Sequence, residues 1–210
     1  MSVEQTGFWD FSLQRYGEAG VADACLSLQD DYGLDVNMVL LCVWYGNCHG
    51  RFTRDQLHQL TDFAGTWAVH VVEPLRHARR WLKTRLAGQA DVQGQVQEAA
   101  DPQAVEQLRN RIKGLELEAE HLQQNQLQAL LGDIQPKSST PGPASTWFNL
   151  DLYLQTRVPP GNQDCSSNRG KPEGADSGYS LTSAADADGT GRNRAQLEQL
   201  LTAVVGAPRP

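Results

Sequence analysis

The chain has 210 residues, with 18 basic and 25 acidic side chains, a formal net charge of −7 and a hydrophobic share of 40%. That length permits one or two domains, and the acidic balance argues against a dedicated nucleic-acid binder. The longest apolar run, Val36 to Tyr45, falls well short of the roughly 20 residues that span a bilayer, so no transmembrane helix is expected.

In chain order, the N-terminal MSVEQTGFWD has neither a basic start nor an apolar core, so no signal peptide is expected. Phe8, Trp9, Leu13 and Tyr16 recur at helical spacing, and Gly17 and Gly20 close that segment. Val21, Ala24, Cys25 and Leu28 form a second helical face, with Gly33 placed for a left-handed C-terminal cap. Asp35 stands where an N-cap belongs, ahead of the apolar stretch that Gly46 is expected to end. A helix that is apolar all round is normally central and buried.

Thr53-Arg-Asp-Gln56 fits a capping box. Leu57, Leu60, Phe63, Ala64, Trp67 and Val71 follow at helical spacing, and Pro74 either kinks that helix or opens the next, whose apolar face is Leu75, Ala78, Leu82 and Leu86. After a polar stretch over 88–100, Asp101-Pro102 is a strong start for a long helix running to Leu131. Its stripe of Val105, Leu108, Ile112, Leu115, Ala119 and Leu122 forms a seam that could pack on the core or against a second copy of the chain.

Residues 132–146 read as a linker by composition, 147–157 as a short docking helix, 158–191 as disordered and 192–205 as a final short helix. No strand alternation is convincing. The expected fold is all-α: a small helical bundle over 7–131 with one long helix and a partly disordered C-terminal region.

Charge is unevenly placed. Residues 1–50 hold seven acids and one base, a net of −6, while residues 51–85 hold seven bases and three acids, a net of +4. Such blocks are expected to pair within one molecule. Arg76, Arg79, Arg80 and Lys83 lie at i, i+3, i+4 and i+7, making a basic helix stripe with Trp81 beside it. The stripe could pair with Asp23, Asp30, Asp31 and Asp35, or meet an acidic protein, a nucleic acid or a membrane surface.

The segments GFWDFSLQRY, ACLSLQDDYGLDVNMVLLCVWYG, VVEPLRHARRWLK, LELEAEHLQQNQL and NLDLYLQ resemble the conserved hypothetical helical proteins of proteobacteria, a family without an established function. The resemblance covers residues 7 to about 156 and implies a mostly helical bacterial protein of the cytoplasm. It supplies no catalytic residues. The polar insertion at 158–191 departs from its pattern.

Sites of known chemistry are hard to build from these residues. Asp30, Asp31 and Asp35 have an Asp-Asp-x-x-x-Asp spacing suited to holding magnesium, but Gly33 should break the helix between them, and no second aspartate-rich helix exists. Cys42, Cys48 and His49 lack the spacing and the fourth ligand of a zinc site, and Cys48 beside His49 does not establish a nucleophile with its base. The four cysteines, at 25, 42, 48 and 165, show no disulfide framework, which fits a reduced cytoplasmic setting. ADADGTG misplaces the oxygens of a calcium loop. No catalytic residue, metal or cofactor is therefore assigned.

Asn37 must find partners if buried, and a cluster of Asp35 and Asn37 with Arg76, Arg79, Arg80 and Lys83 is the candidate binding site. The expected role is a non-catalytic protein-binding adaptor or regulator. Alternatives are a small-anion binder or enzyme using that cluster, and a weak nucleic-acid binder using the basic helix.

Overall fold

A computed structural model describes residues 7–86, 101–132, 140–157 and 194–210. Its helices are α1 (Phe8–Tyr16), α2 (Val21–Asp30), α3 (Val36–Cys48), α4 (Arg54–Trp67), a π-helical turn (Ala68–Val72), α5 (Glu73–Leu86), α6 (Pro102–Leu131), α7 (Pro143–Arg157) and α8 (Arg194–Val205). Among the described residues there is no strand, so the fold is all-α with one long helix. The disorder expected at 158–191 lies outside the described residues. The final helix is present at 194–205, and α7 begins at Pro143, inside the stretch read as linker. Proline at the start of a helix loses no bond, because the first turn has no intrahelical acceptor for its N–H.

The helices form two compact units, one of Met1–Gln14 with Phe52–Ser138 and one of Arg15–Arg51 with Ser139–Pro210. This division differs from a single bundle over 7–131. Its physical reason is α3: ten of its residues, Asn37 through Gly46, are buried, so it needs cover on all sides. Within its own unit that cover comes from α2, α7 and α8, and two of those helices lie beyond residue 131.

In the first unit, α4 starts with the expected capping box: Thr53 Oγ1 accepts from the Gln56 N–H at 3.2 Å, and Gln56 Oε1 accepts from the Thr53 N–H at 2.9 Å. Its buried line is Leu57, Leu60 and Ala64. Pro74 cannot donate to the preceding turn. The chain meets it with a widened π turn, in which the Glu73 N–H reaches the Ala68 carbonyl five residues back. Beyond it, α5 runs antiparallel to α6, with Arg76 meeting Glu120 and Arg79 meeting Glu116. In α1 the inward face is Phe8 and Ser12, whereas Leu13 is 52% exposed. The polar Ser12 is accommodated because its hydroxyl donates to the Phe8 carbonyl at 2.9 Å.

In the second unit, α2 runs to Asp30, and the turn that closes its end carries the expected left-handed Gly33, whose φ is 62°, a value that costs glycine little. The Gly33 N–H returns to the Gln29 carbonyl at 3.1 Å and Leu34 N–H to the Leu28 carbonyl at 3.1 Å. Asp35 then caps α3, accepting from the N–H groups of Asn37 at 2.8 Å and Met38 at 3.3 Å.

Gly46 does not end α3. The helix continues to Cys48, and the glycine instead allows α7 to come close. A Cβ added there would lie 2.4 Å from the Thr146 Cα, and the Gly46 carbonyl accepts from the Gly142 N–H at 2.8 Å. Along the same antiparallel contact, buried Asn149 donates to the carbonyl of Gly50 at 2.9 Å, and the Tyr153 hydroxyl accepts from the Asp35 N–H at 3.1 Å.

Candidate functional site

The charged residues singled out in the sequence fall into two groups, one in each unit. In the first unit, α5 turns Arg76 and Arg79 towards α6. Arg76 Nε donates to Glu116 Oε1 at 3.1 Å, and its second nitrogen reaches Glu120 Oε1 at 2.5 Å. Arg79 grips both oxygens of Glu116, at 2.5 and 3.2 Å. The Glu116 side chain is only 10% exposed. A carboxylate with so little water would be costly if left alone, and two guanidinium groups compensate it. Burial pulls the Arg76 pKa down, but Glu120 and Glu116 outweigh that pull and leave it raised. Hydrogen bonding to Glu116 raises that of Arg79.

The basic stripe therefore does pair inside the molecule, through acids on α6. Sequence reasoning missed Glu116 and Glu120 because it looked for partners in the N-terminal acidic block. Their own i, i+4 spacing, matched to arginines at i and i+3, was the available signal. The pairing also divides the stripe. Arg76 and Arg79 face inward beside Leu75 and Leu82, and Ala78 is exposed, against its expected place on the apolar face. Arg80 and Lys83 are exposed, as is Trp81, whose indole is 56% exposed with the Arg85 guanidinium 5.1 Å from its ring centre.

In the second unit, the Asp35 carboxylate is engaged by the first turn of α3, and Asn37 is buried in that same turn. Asp30 and Asp31 are exposed at the end of α2. Burial raises every described thiol: Cys25 is pushed up to about 12, and Cys42 and Cys48 also rise. Thiols of that kind are poor nucleophiles at neutral pH. His49 packs against Trp44 and Tyr45, with ring centres 4.9 and 5.1 Å away, and burial pushes its pKa below 6.5. Among the described residues, no three His, Cys, Asp or Glu side chains converge as metal ligands. No described helix is long and apolar enough to cross a membrane.

Sequence reasoning also missed Arg209. Its guanidinium forms a bidentate pair with Asp151 at 2.7 and 2.9 Å, bonds Glu198 at 3.1 Å, and lies 4.5 Å from the centre of the Trp147 ring. A lone arginine in a Pro-rich terminus carries no periodic signal, so nothing local marks it as a clasp for α7 and α8.

The seam of α6 is also divided. Ala119 is buried and Val105 and Ile112 are half-buried, so this half of the seam faces the helix's own unit. The other half does not. Leu108, Leu115 and Leu122 are 46%, 51% and 47% exposed.

These features define a helical protein whose described polar clusters are mostly structural, with apolar and basic side chains left on outer helix faces. Residues 7–127 match the family described as protein of unknown function (DUF2390), and the chain belongs to that family. The matched stretch ends within α6, before the α7 segment NLDLYLQ. No curated protein and no solved structure matches the chain.

Proposed function

We propose that this protein is a non-catalytic adaptor or regulator that binds an acidic partner protein through the outer face of α5. The observation that carries this reading is Trp81. Tryptophan and arginine dominate binding energy at protein interfaces, and here an exposed indole stands on one helix with exposed Arg80, Lys83 and Arg85. Arg76 and Arg79 are neutralised by Glu116 and Glu120 and hold that helix in place. An acidic surface would supply the complementary field, and the indole would supply apolar contact.

The small-anion or enzyme reading, built on Asp35, Asn37, Arg76, Arg79, Arg80 and Lys83, is less well supported. The Asp35 carboxylate and the Arg76 and Arg79 guanidiniums already have partners, and the described thiols are raised rather than activated. Nucleic-acid binding would have to rest on the few exposed bases of α5.

The test is affinity capture with the tagged full chain at low and high salt, with retained proteins identified by mass spectrometry and nucleic acid quantified. A defined protein that survives high salt and is lost from Trp81→Ala is the expected result. Retention of nucleic acid alone, released steeply as salt rises, would overturn the reading, as would retention of nothing.

A further inference from the structure

We propose that the outward face of α6 pairs with a second copy of this chain, antiparallel and two-fold symmetric about Leu115. This inference stands apart from the α5 face. It begins with spacing. Leu108, Arg111, Leu115, Glu118 and Leu122 follow one another at alternating steps of three and four, and all are exposed. Steps of three and four keep side chains on one face of a helix and are the pattern of a coiled-coil seam.

The pattern is self-complementary when one copy is reversed. Leu108 and Leu122 lie seven residues on either side of Leu115, about 10.5 Å along the axis at 1.5 Å per residue. An antiparallel copy centred on Leu115 therefore sets Leu108 level with the other copy's Leu122, and Leu115 opposite itself. Arg111 lies four residues to one side of Leu115 and Glu118 three to the other. Reversal brings each arginine within about 1.5 Å, in axial level, of the other copy's glutamate, a mismatch that long side chains absorb. Neither Arg111 nor Glu118 has an ion pair among the described residues.

A parallel pair would set arginine against arginine and glutamate against glutamate, which is unfavourable. The charges thus select both the direction and the identity of the occupant. An isologous contact, in which the same patch serves both subunits, is the commonest form of homodimer.

The experiment is sedimentation equilibrium of the full chain across micromolar concentrations, with circular dichroism confirming that each variant keeps its helices. The wild type should approach twice 23.1 kDa. Arg111→Glu and Glu118→Arg should each place like charges at both contacts and weaken self-association at least about tenfold. An equal mixture of the two variants should dimerise again, because one copy then carries glutamate at both positions and the other arginine. A wild type that stays monomeric throughout would overturn the proposal. So would a mixture that fails to re-form dimer, or single variants that dimerise as well as the wild type. Failure of affinity capture through Trp81 leaves this result unaffected, so the two readings can fall separately.

Discussion

The two units hold their principal helix pairs by different means. Between α5 and α6 the pairing is made by long side chains: Arg76 and Arg79 converge on Glu116, and Arg76 also reaches Glu120. Between α3 and α7 it is made by removing side chains. Gly46 lets the Thr146 backbone approach, and Asn149 bonds directly to backbone carbonyls. Long charged side chains can adjust and remain partly wet. A backbone contact at van der Waals distance cannot adjust without moving a helix. The first kind of contact should tolerate substitution in proportion to charge, and the second should fail at the first added methyl.

The largest expected effect follows from that asymmetry. Gly46→Ala puts a Cβ against backbone atoms and should cost about 3 kcal/mol, the upper part of the range for overpacked cores. Amide hydrogen exchange should show faster opening in α3 and α7, and 1 M salt should leave the loss unchanged. Protection equal to wild type would mean that the helices separate easily, which would erase the contrast between the units.

Glu116→Gln should come next, at about 2–3 kcal/mol, below the range for fully buried pairs because Arg76 and Arg79 keep about a quarter of their surface in water. Exchange should rise in α5 and α6, and salt should reduce the difference from wild type. An effect that ignores salt would point to packing rather than charge.

The smallest effect should come from Asp35→Ala, which removes two cap hydrogen bonds for about 1 kcal/mol. It should be visible as fraying at the start of α3, with Asp35→Asn largely restoring protection.

What could be read from the sequence was local. The capping box at Thr53, the Asp35 and Asp101 caps, the Gly33 stop and the largely buried α3 all rest on residues within a few positions of one another. The π turn before Pro74 was half legible, since proline announces a break but not its form. Gly46 misled because a glycine near the end of an apolar run looks the same whether it ends a helix or admits a neighbour. Only Thr146, about one hundred residues away, distinguishes the two. The candidate site suffered for the same reason. The basic stripe was visible, but its division into inward arginines and outward Arg80, Trp81 and Lys83 depends on Glu116 and Glu120, which periodicity within α5 cannot reveal.

The separation of α3 from its cover also matters while the chain is being made. Asn149 lies 107 residues after Cys42, its bonding partner in α3. At the usual pace of synthesis, about 5–20 residues per second, α7 emerges from the ribosome roughly 5–20 seconds after the helix it must cover. During that interval one of the most apolar segments of the protein has no native shelter from its own later sequence. The nascent chain is then a natural client for chaperones that hold exposed apolar segments, and a slower-translated message would lengthen the hazard without altering a single residue.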